Sequence, residues 1–514
     1  MAPSNDTPLN ERLIVPAEKS VAGTLRLSIL FVAELIAVAI LRIPSDLGFT
    51  AFAFADRGSW LTLVAYTQKG QRPGVDFGYT YGLLPIWLSS GWFHLFGATP
   101  YAYQAANWIG TLLIGWAIAR TLSALRVPLL GIALMVVALP FAVQSSYPSI
   151  ALLVEAVLLS NAIAEHASGR RNVALALAAA ACFAKPAMGY VYGFILTIFI
   201  ISELYRTGAL KPSRMRWELI LAEFAPAAAT MVVLAALALV INGPRSLFAT
   251  ILPISGAKHY AAFDYGFFRG RGKFFWQGMP PIYYFASVVV FWFAASGWLI
   301  IRALSVLPRW VRDKSVRDEI IVATAIMHIL FITLFFAGPS AWISYSYVLV
   351  IGAVVACTMG RVGRFATVLL ILLAAIGQTG VCAASWTVWK QRSPDTITAG
   401  LWATKEVRTD WEAVREIAGK QDQGVAILSP QGVIPLLFPE FEQTPYVYLL
   451  AGVTLDSEIS AAEKQLDDAS IVAKLVDPDY GWALTLMPQL TSRVADRPEI
   501  LKTQLFAVYG SKPH

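Results

Sequence analysis

Long apolar runs separated by short polar breaks dominate the chain up to about residue 386. A helix needs about 20 apolar residues to cross the hydrocarbon core of a bilayer. The pattern therefore predicts an α-helical polytopic membrane protein with about eleven transmembrane helices. The predicted spans are 26–43, 104–122, 127–143, 147–166, 172–184, 186–204, 217–241, 282–301, 319–337, 342–359 and 364–385.

The stretch 81–97 is apolar but contains Pro85 and His94, so it fits either a twelfth span or a helix lying in the interface. Lys and Arg concentrate in cytoplasmic loops. Five breaks rich in these residues fall on one side of the membrane only if 81–97 does not cross. We therefore predict a cytoplasmic N-terminus, an interfacial 81–97 and a C-terminal region outside. The five breaks are 120–126, 170–171, 206–216, 302–317 and 361–364.

The pattern changes after residue 386 to that of a small soluble α/β domain. Residues 410–420 and 457–467 are predicted helices, and 425–429, 471–475 and 504–509 are predicted strands. The chain thus divides into a transmembrane domain, 1–386, and an extracytoplasmic (periplasmic) domain, 387–514. Two outer loops of the first domain, 44–103 and 242–281, share the outer face with the second.

Composition supports a membrane protein and argues against a soluble protein or a nucleic-acid-binding protein. Hydrophobic residues make up 57% of the 514 residues and charged residues only 14%, against about a quarter in a soluble domain. The net charge of +7 reflects the polar breaks and does not indicate a nucleic-acid partner. The three cysteines lie in or at the end of apolar segments, so no structural disulfide is expected.

Two acids in the first outer loop, Asp56 and Asp76, are candidate catalytic residues. Both lie among aromatic and glycine residues beside the membrane, where a carboxylate can have the basicity that a general base requires. The alternative for Asp56 is the cap of a helix over 57–69. The alternative for Asp76 is a turn residue after Pro73 and Gly74.

The sequence around these acids resembles the membrane glycosyltransferases of the GT-C fold. The resemblance lies in an acid shortly after the first span and in residues 70–122, GQRPGVDFGYTYGLLPIWLSSGWFHLFGATPYAYQAANWIGTLLIGWAIARTL. It covers about residues 26–205, and the lipid A aminoarabinose transferase and the protein O-mannosyltransferases are the members most similar in style. Such enzymes move a sugar from a polyprenyl-phosphate donor on the outer face and invert the anomeric centre. Asp56 occupies the position of the family's acid in that loop.

Two departures from the family pattern affect any assignment to a subfamily or to a metal. Arg57 replaces the second acid of an Asp-Glu pair. The Lys-Pro-Pro motif of some members is absent, because the equivalent stretch is Tyr-Gly-Leu-Leu-Pro at 81–85. A divalent metal stays open as a cofactor, with no other cofactor expected.

Three cations are candidate ligands of the donor phosphate. Lys185 lies at a helix break inside the apolar region, where an ionisable residue is functional by default, although a snorkelling lysine is the alternative. Arg269 and Arg271 lie in the second outer loop among many aromatic residues. Arginine suits bidentate phosphate contact, whereas an interfacial aromatic belt touching anionic lipid is the alternative. His259 in the same loop is a candidate metal ligand.

These observations predict an inverting glycosyltransferase of the bacterial inner membrane, with a glycan, lipid or protein acceptor. The alternative is a membrane transporter or a flippase for lipid-linked sugars, although no internal repeat of the kind that transporters carry is seen. A non-catalytic scaffold would not need an acid, a lysine at a helix break and a basic loop on one side. Glu155, early in a span, is interpreted as half of a buried structural pair, with a catalytic role as the alternative.

Overall fold

A computed structural model describes most of the predicted membrane helices and most of the C-terminal region. The described residues are 31–33, 35–36, 51–142, 149–210, 215–252, 281–313, 315–330, 345–357, 360–395, 402–420, 424–430, 432, 440–449, 453–476, 484 and 487–512.

Twelve of the described helices precede the C-terminal region. In chain order they are α1 Ala51–Gln68, α2 Leu84–Phe96, α3 Pro100–Ala124, α4 Leu129–Ala142, α5 Ile150–Ala167, α6 Arg171–Cys182, α7 Pro186–Arg206, α8 Trp217–Ile251, α9 Pro281–Asp313, α10 Val316–Met327, α11 Ser346–Ala356 and α12 Gly360–Lys390.

Five segments of the described part are long and apolar enough to cross a membrane. They are α5, α7, α8, Val290–Trp310 of α9 and Arg361–Thr379 of α12. Three shorter apolar helices, Leu129–Leu139 of α4, α6 and α11, lie where spans are predicted. The protein therefore has the helices of a multi-pass membrane protein, while the total of eleven spans stays a prediction. The predicted span 26–43 lies mostly outside the described residues.

Helix α2 lies within the stretch that is predicted not to cross the membrane. It has thirteen residues, which is about 20 Å of helix against the 30 Å of a hydrocarbon core. Pro85 lies in its first turn and Gly97, with φ +79°, follows its last residue. Ile86 and Phe93 are buried, whereas Leu95 is 75% exposed. The helix is shorter than the hydrocarbon core is thick, and the interfacial position of 81–97 stays a prediction.

Helix α5 lies at the centre of the helical region. Its neighbours are α3 and α6, and α2 and α10 also touch it. Small residues allow close approach: a Cβ at Gly110 of α3 would lie only 2.3 Å from Leu153 Cδ1 of α5. A span with protein on most sides can hold polar residues away from lipid. Glu155 and His166, both on α5, are fully buried.

The C-terminal region holds a four-stranded mixed sheet with three helices. Its elements are α13 Lys405–Gly419, β1 Val425–Leu428, α14 Asp456–Asp468, β2 Ile471–Leu475, α15 Pro488–Ala495, β3 Glu499–Lys502 and β4 Phe506–Tyr509. The strand order is β1-β2-β4-β3, with β1 and β2 parallel and the other pairs antiparallel. Because parallel neighbours need a crossover, α14 connects β1 to β2. The predicted helices and strands lie at these places, within five residues at each end.

Candidate active site

Lys185 occupies the break between α6 and α7. The residue before a proline is pushed out of the helical region, and Lys185 accordingly has φ −146° and ψ 107° ahead of Pro186. Its side chain is turned inwards, since the residue is only 9% exposed. The Nζ atom lies 5.1 Å from the centroid of the Tyr345 ring and 5.8 Å from that of Tyr81. Aromatic faces at these distances attract a cation.

Glu155 of α5 supplies the opposite charge to this cation. The two side chains interact electrostatically, and both are buried. The Tyr345 hydroxyl donates to Glu155 Oε2 at 3.1 Å. The Met188 N–H, in the first turn of α7, also interacts with this carboxylate, whose buried Oε1 makes no hydrogen bond of ordinary geometry among the described residues. We call Glu155, Lys185, Tyr345 and Tyr81 the Glu155 cluster.

The loop between α1 and α2 is fastened to the same helix break. The Gly82 N–H donates to Ala184 O and the Leu84 N–H donates to Phe183 O, both at 2.9 Å. Glycine is required at position 82, because a Cβ there would lie 2.0 Å from Phe183 O. These bonds hold Tyr81 beside Lys185. The loop thus forms one wall of the Glu155 cluster.

Asp76 organises the turn in this loop. Arg72 donates to both of its carboxylate oxygens, from Nε at 3.0 Å and from NH2 at 3.1 Å, and its backbone N–H adds a bond of 2.8 Å. The hydrogen bonds from Arg72 hold the pKa of Asp76 below its ordinary value. This is the arrangement of the turn residue that the sequence offered as the alternative to a catalytic role.

Asp56 lies inside α1 and therefore is not the cap of a helix over 57–69. The helix begins five residues earlier, at Ala51. One turn after Asp56, the ring of Trp60 packs against Tyr81 with 6.4 Å between centroids. The backbone of Asp56 thus lies on the helix that borders the Glu155 cluster. Its side chain lies outside the described part of the structure, and its catalytic role stays a prediction.

A second buried polar network lies at the other end of α5. His166 Nε2 contacts Glu319 Oε2 at 2.9 Å, and Arg171 donates to both Glu319 oxygens at 2.8 Å. Trp310 Nε1 donates to Glu319 Oε1 at 3.4 Å, and His166 Nδ1 contacts the Tyr192 hydroxyl at 3.1 Å. We call these five residues the His166 cluster. They join five helices, α5, α6, α7, α9 and α10.

Comparisons with known proteins give one match of note. No family model matches the chain, and no curated protein matches it either. The chain is similar to ArnT. That solved structure is ArnT from Cupriavidus metallidurans bound to undecaprenyl phosphate, with 13% identity and a TM-score of 0.45. The match covers 96% of this chain and 100% of that one.

Three of the predicted site residues cannot be placed relative to Lys185. Arg269, Arg271 and His259 fall outside the described residues, so their roles stay predictions. Within the described ranges, no three His, Cys, Asp or Glu side chains come together as metal ligands would. Of the predicted phosphate ligands, the structure describes Lys185. It places this lysine beside Glu155, an acid that the sequence analysis interpreted as half of a structural pair.

Glu458, an acid that the sequence analysis did not single out, connects the C-terminal region to the loop between α1 and α2. Glu458 of α14 is 4% exposed. Its Oε2 accepts from the Gly78 and Leu455 N–H groups, each at 2.8 Å. Burial raises the pKa of Glu458 to about 7, against the effect of these N–H groups. The only signal in the sequence was an acid in the first turn of a predicted helix, a common place for capping.

Proposed function

We propose that the protein is an inverting glycosyltransferase that uses a polyprenyl-phosphate sugar. The transfer takes place on the outer face of the bacterial inner membrane, with the N-terminus cytoplasmic and the C-terminal domain periplasmic. The observation that carries the proposal is the Glu155 cluster, in which a buried lysine and a buried, incompletely bonded carboxylate meet at a break between apolar helices. Intramembrane charges of this kind mark functional sites.

The cluster suits a lipid-linked phosphate. Such a donor has a long apolar tail and one anionic group, which lies where the tail leaves the hydrocarbon. Lys185 supplies a cation at a helix break, and the long apolar helices α7 and α8 offer a surface for the tail. A cation held in a dry site stabilises negative charge on a leaving group more than one in water does. We assign Lys185 to the leaving phosphate and Glu155 to holding that lysine.

The proposed reaction is a single displacement. The acceptor hydroxyl oxygen forms a bond to the anomeric carbon while the bond from that carbon to the phosphate oxygen breaks. A carboxylate, for which we propose Asp56, takes the hydroxyl proton, and polyprenyl phosphate leaves with the bonding electrons. Attack opposite the leaving group inverts the anomeric centre. Arg269 and Arg271 are proposed to share the phosphate charge with Lys185.

A divalent metal is not needed for this proposal. The described surroundings of Lys185 offer a lysine, tyrosines and one carboxylate rather than a set of metal ligands. The positive charge that stabilises the leaving phosphate is therefore assigned to side chains.

Binding of polyprenyl phosphate to the purified protein tests the assignment of Lys185. The parent should bind polyprenyl phosphate more tightly than polyprenol, which has the same tail without the phosphate. Lys185→Met should weaken phosphate binding about 10- to 100-fold, because a charge-assisted hydrogen bond contributes about 1.5–3 kcal/mol. Lys405→Met, which removes an exposed lysine from α13, is the matched control and should bind like the parent.

Equal affinity of Lys185→Met and the parent for polyprenyl phosphate would contradict the assignment. A second measurement separates transfer from transport. Proteoliposomes loaded with labelled lipid-linked sugars and a glycan acceptor should yield a new glycosidic product. Donor that crosses the bilayer chemically unchanged, without any product, would instead support the flippase.

A further inference from the structure

A polar cavity separates the first outer loop from the C-terminal domain. Its volume is about 410 Å³, and Lys69, Gln71, Asp76, Gln443, Ser457 and Glu458 are among its lining residues. The two sides are bonded together around it: Tyr66 donates its hydroxyl hydrogen to Thr444 O, and Glu458 accepts from Gly78 N–H. The cavity is thus a built feature of the contact between the two regions.

Two side chains that line the cavity have incomplete hydrogen bonding. Glu458 Oε2 accepts two backbone hydrogen bonds and the Val447 N–H also interacts with the carboxylate, whereas its buried Oε1 makes no hydrogen bond of ordinary geometry in the described part of the chain. Gln443 Oε1 accepts from Lys69 Nζ at 3.2 Å, whereas its buried Nε2 has no partner there. A buried polar group without a partner costs about 1–3 kcal/mol. An acceptor and a donor in one cavity therefore indicate a ligand that can satisfy both.

The lining identifies the class of this ligand. A hydroxyl group both donates and accepts, so neighbouring hydroxyls can bond to a carboxylate and to an amide NH₂ at once. A phosphate is disfavoured by Glu458 and Asp76, and a lipid tail is disfavoured by the many polar groups. At about 30 Å³ for each water, the cavity has room for roughly a dozen non-hydrogen atoms, which is the number in a hexose.

We propose that this cavity is a carbohydrate subsite that binds one glycosyl unit through Glu458 and Gln443. The unit belongs to the acceptor, an assignment that rests on the proposed function, so the acceptor is a glycan or a glycolipid. Because Glu458 also bonds to Gly78, four residues before Gly82, the subsite is connected by a short backbone path to the loop that borders the Glu155 cluster.

Saturation-transfer NMR on the full-length protein in detergent tests the subsite. The probes are the methyl glycosides of glucose, galactose, mannose and N-acetylglucosamine. At least one should receive saturation from the parent protein. Gln443→Leu should weaken its binding about 2- to 13-fold, the loss expected for one neutral hydrogen bond. Gln489→Leu, on α15 and away from the cavity lining, is the matched control and should bind like the parent.

Two results would overturn the subsite: no glycoside of the panel binds to the parent, or Gln443→Leu binds as the parent does. Glu458→Gln is a second variant that keeps an acceptor for the Gly78 N–H and should also weaken binding. Lys185→Met should bind glycosides normally, because it lies outside the cavity lining. Glycoside binding that depends on Gln443, in a protein that shows no affinity for polyprenyl phosphate, would leave the subsite standing and refute the proposed donor.

Discussion

The two ends of helix α5 hold two buried polar clusters with similar parts and different bonding. Each combines a carboxylate, a cation and aromatic side chains. In the His166 cluster, both oxygens of Glu319 are bonded, to a histidine, an arginine and a tryptophan. In the Glu155 cluster, Oε2 accepts from Tyr345 and the Met188 N–H interacts with the carboxylate, but Oε1 makes no hydrogen bond of ordinary geometry among the described residues. Along the helix axis, Glu155 and His166 are about 16 Å apart.

This difference separates a structural network from a candidate site. Burying a charge costs several kcal/mol unless attraction and hydrogen bonds compensate for it. The His166 cluster compensates Glu319 fully and connects five helices, as a structural network should. In the Glu155 cluster, the cost of burying the carboxylate is only partly compensated, and the cluster lies beside a loop and a helix break. Incomplete bonding, rather than burial alone, is therefore the observation that points to chemistry.

The largest expected effect is the all-or-none labelling of cysteines introduced on the two sides of the membrane. It decides which of the two clusters lies on the outer side. Ser123 and Ser492 are exposed and lie in α3 and α15. In a background with the three native cysteines replaced by alanine, Ser123→Cys should resist an impermeant maleimide in intact cells and Ser492→Cys should react. After the cells are opened, both should react. Reaction of Ser123→Cys in intact cells would put the His166 cluster outside and reverse the comparison.

The next effect concerns the acid on the helix that borders the Glu155 cluster. Asp56→Asn should slow sugar transfer about 10²- to 10⁴-fold, the usual contribution of a general base, while Asp76→Asn changes it little because Asp76 bonds to Arg72. Initial rates with saturating donor measure both variants. Comparable slowing in both would show that the loop's shape, rather than one carboxylate, is what matters.

Double variants that remove the acid and the cation of one cluster test whether the two clusters differ in their contribution to stability. Arg171→Met/Glu319→Gln should lower the free energy of unfolding by at least about 3 kcal/mol, because several bonds to a charged group are lost. Glu155→Gln/Lys185→Met should leave stability unchanged or raise it by about 1–4 kcal/mol, since an incompletely bonded pair is removed. Thermal unfolding in detergent measures both. Equal destabilisation would make the Glu155 cluster a structural network too.

The smallest effect is a pH dependence set by Glu458. Its pKa of about 7 in the folded protein lies above the ordinary 4.5. A carboxyl group with a raised pKa makes the folded state lose stability as pH rises from about 4.5 to 7, and the full penalty applies above that. Glu458→Gln should remove this pH dependence, which changes the free energy of unfolding by about 3 kcal/mol at most. The variant should therefore become more stable relative to the parent as the pH rises towards 8.

Melting temperatures of the parent and of Glu458→Gln from pH 5 to pH 8 measure this slope. Lys69 and Asp76 face the same cavity, so Asp76→Asn is the matched control and should keep the slope. Parallel curves for the parent and Glu458→Gln would contradict the prediction.

Local features of the molecule could be predicted from sequence, and long-range ones could not. The pair Lys185-Pro186 predicts the break between α6 and α7, because proline restricts its neighbour wherever it occurs. The length of the apolar run predicts α5, although Ser149 caps the helix three residues later than expected. Both signals lie within a few residues of the feature that they predict.

The partners of the buried acids have no such local signal. Glu155 bonds to Tyr345, 190 residues later, and Glu458 bonds to Gly78, 380 residues earlier. Neither separation has a periodicity that a sequence pattern could show. A charge inside a span was the available sign for Glu155, and it should have outweighed the structural interpretation.

The close approach of Gly82 to Phe183 and Ala184 sets an order of assembly for the chain. About a hundred residues separate the two segments of this contact, and α2 to α6 occupy that interval. A nascent chain therefore cannot seat the first loop until the helix break at Lys185 has left the ribosome. Glu458 follows nearly three hundred residues later, so its bond to Gly78 is among the last to form. A chain truncated before α14 would hold Lys185 in its membrane helices yet lack the contact that closes over the loop.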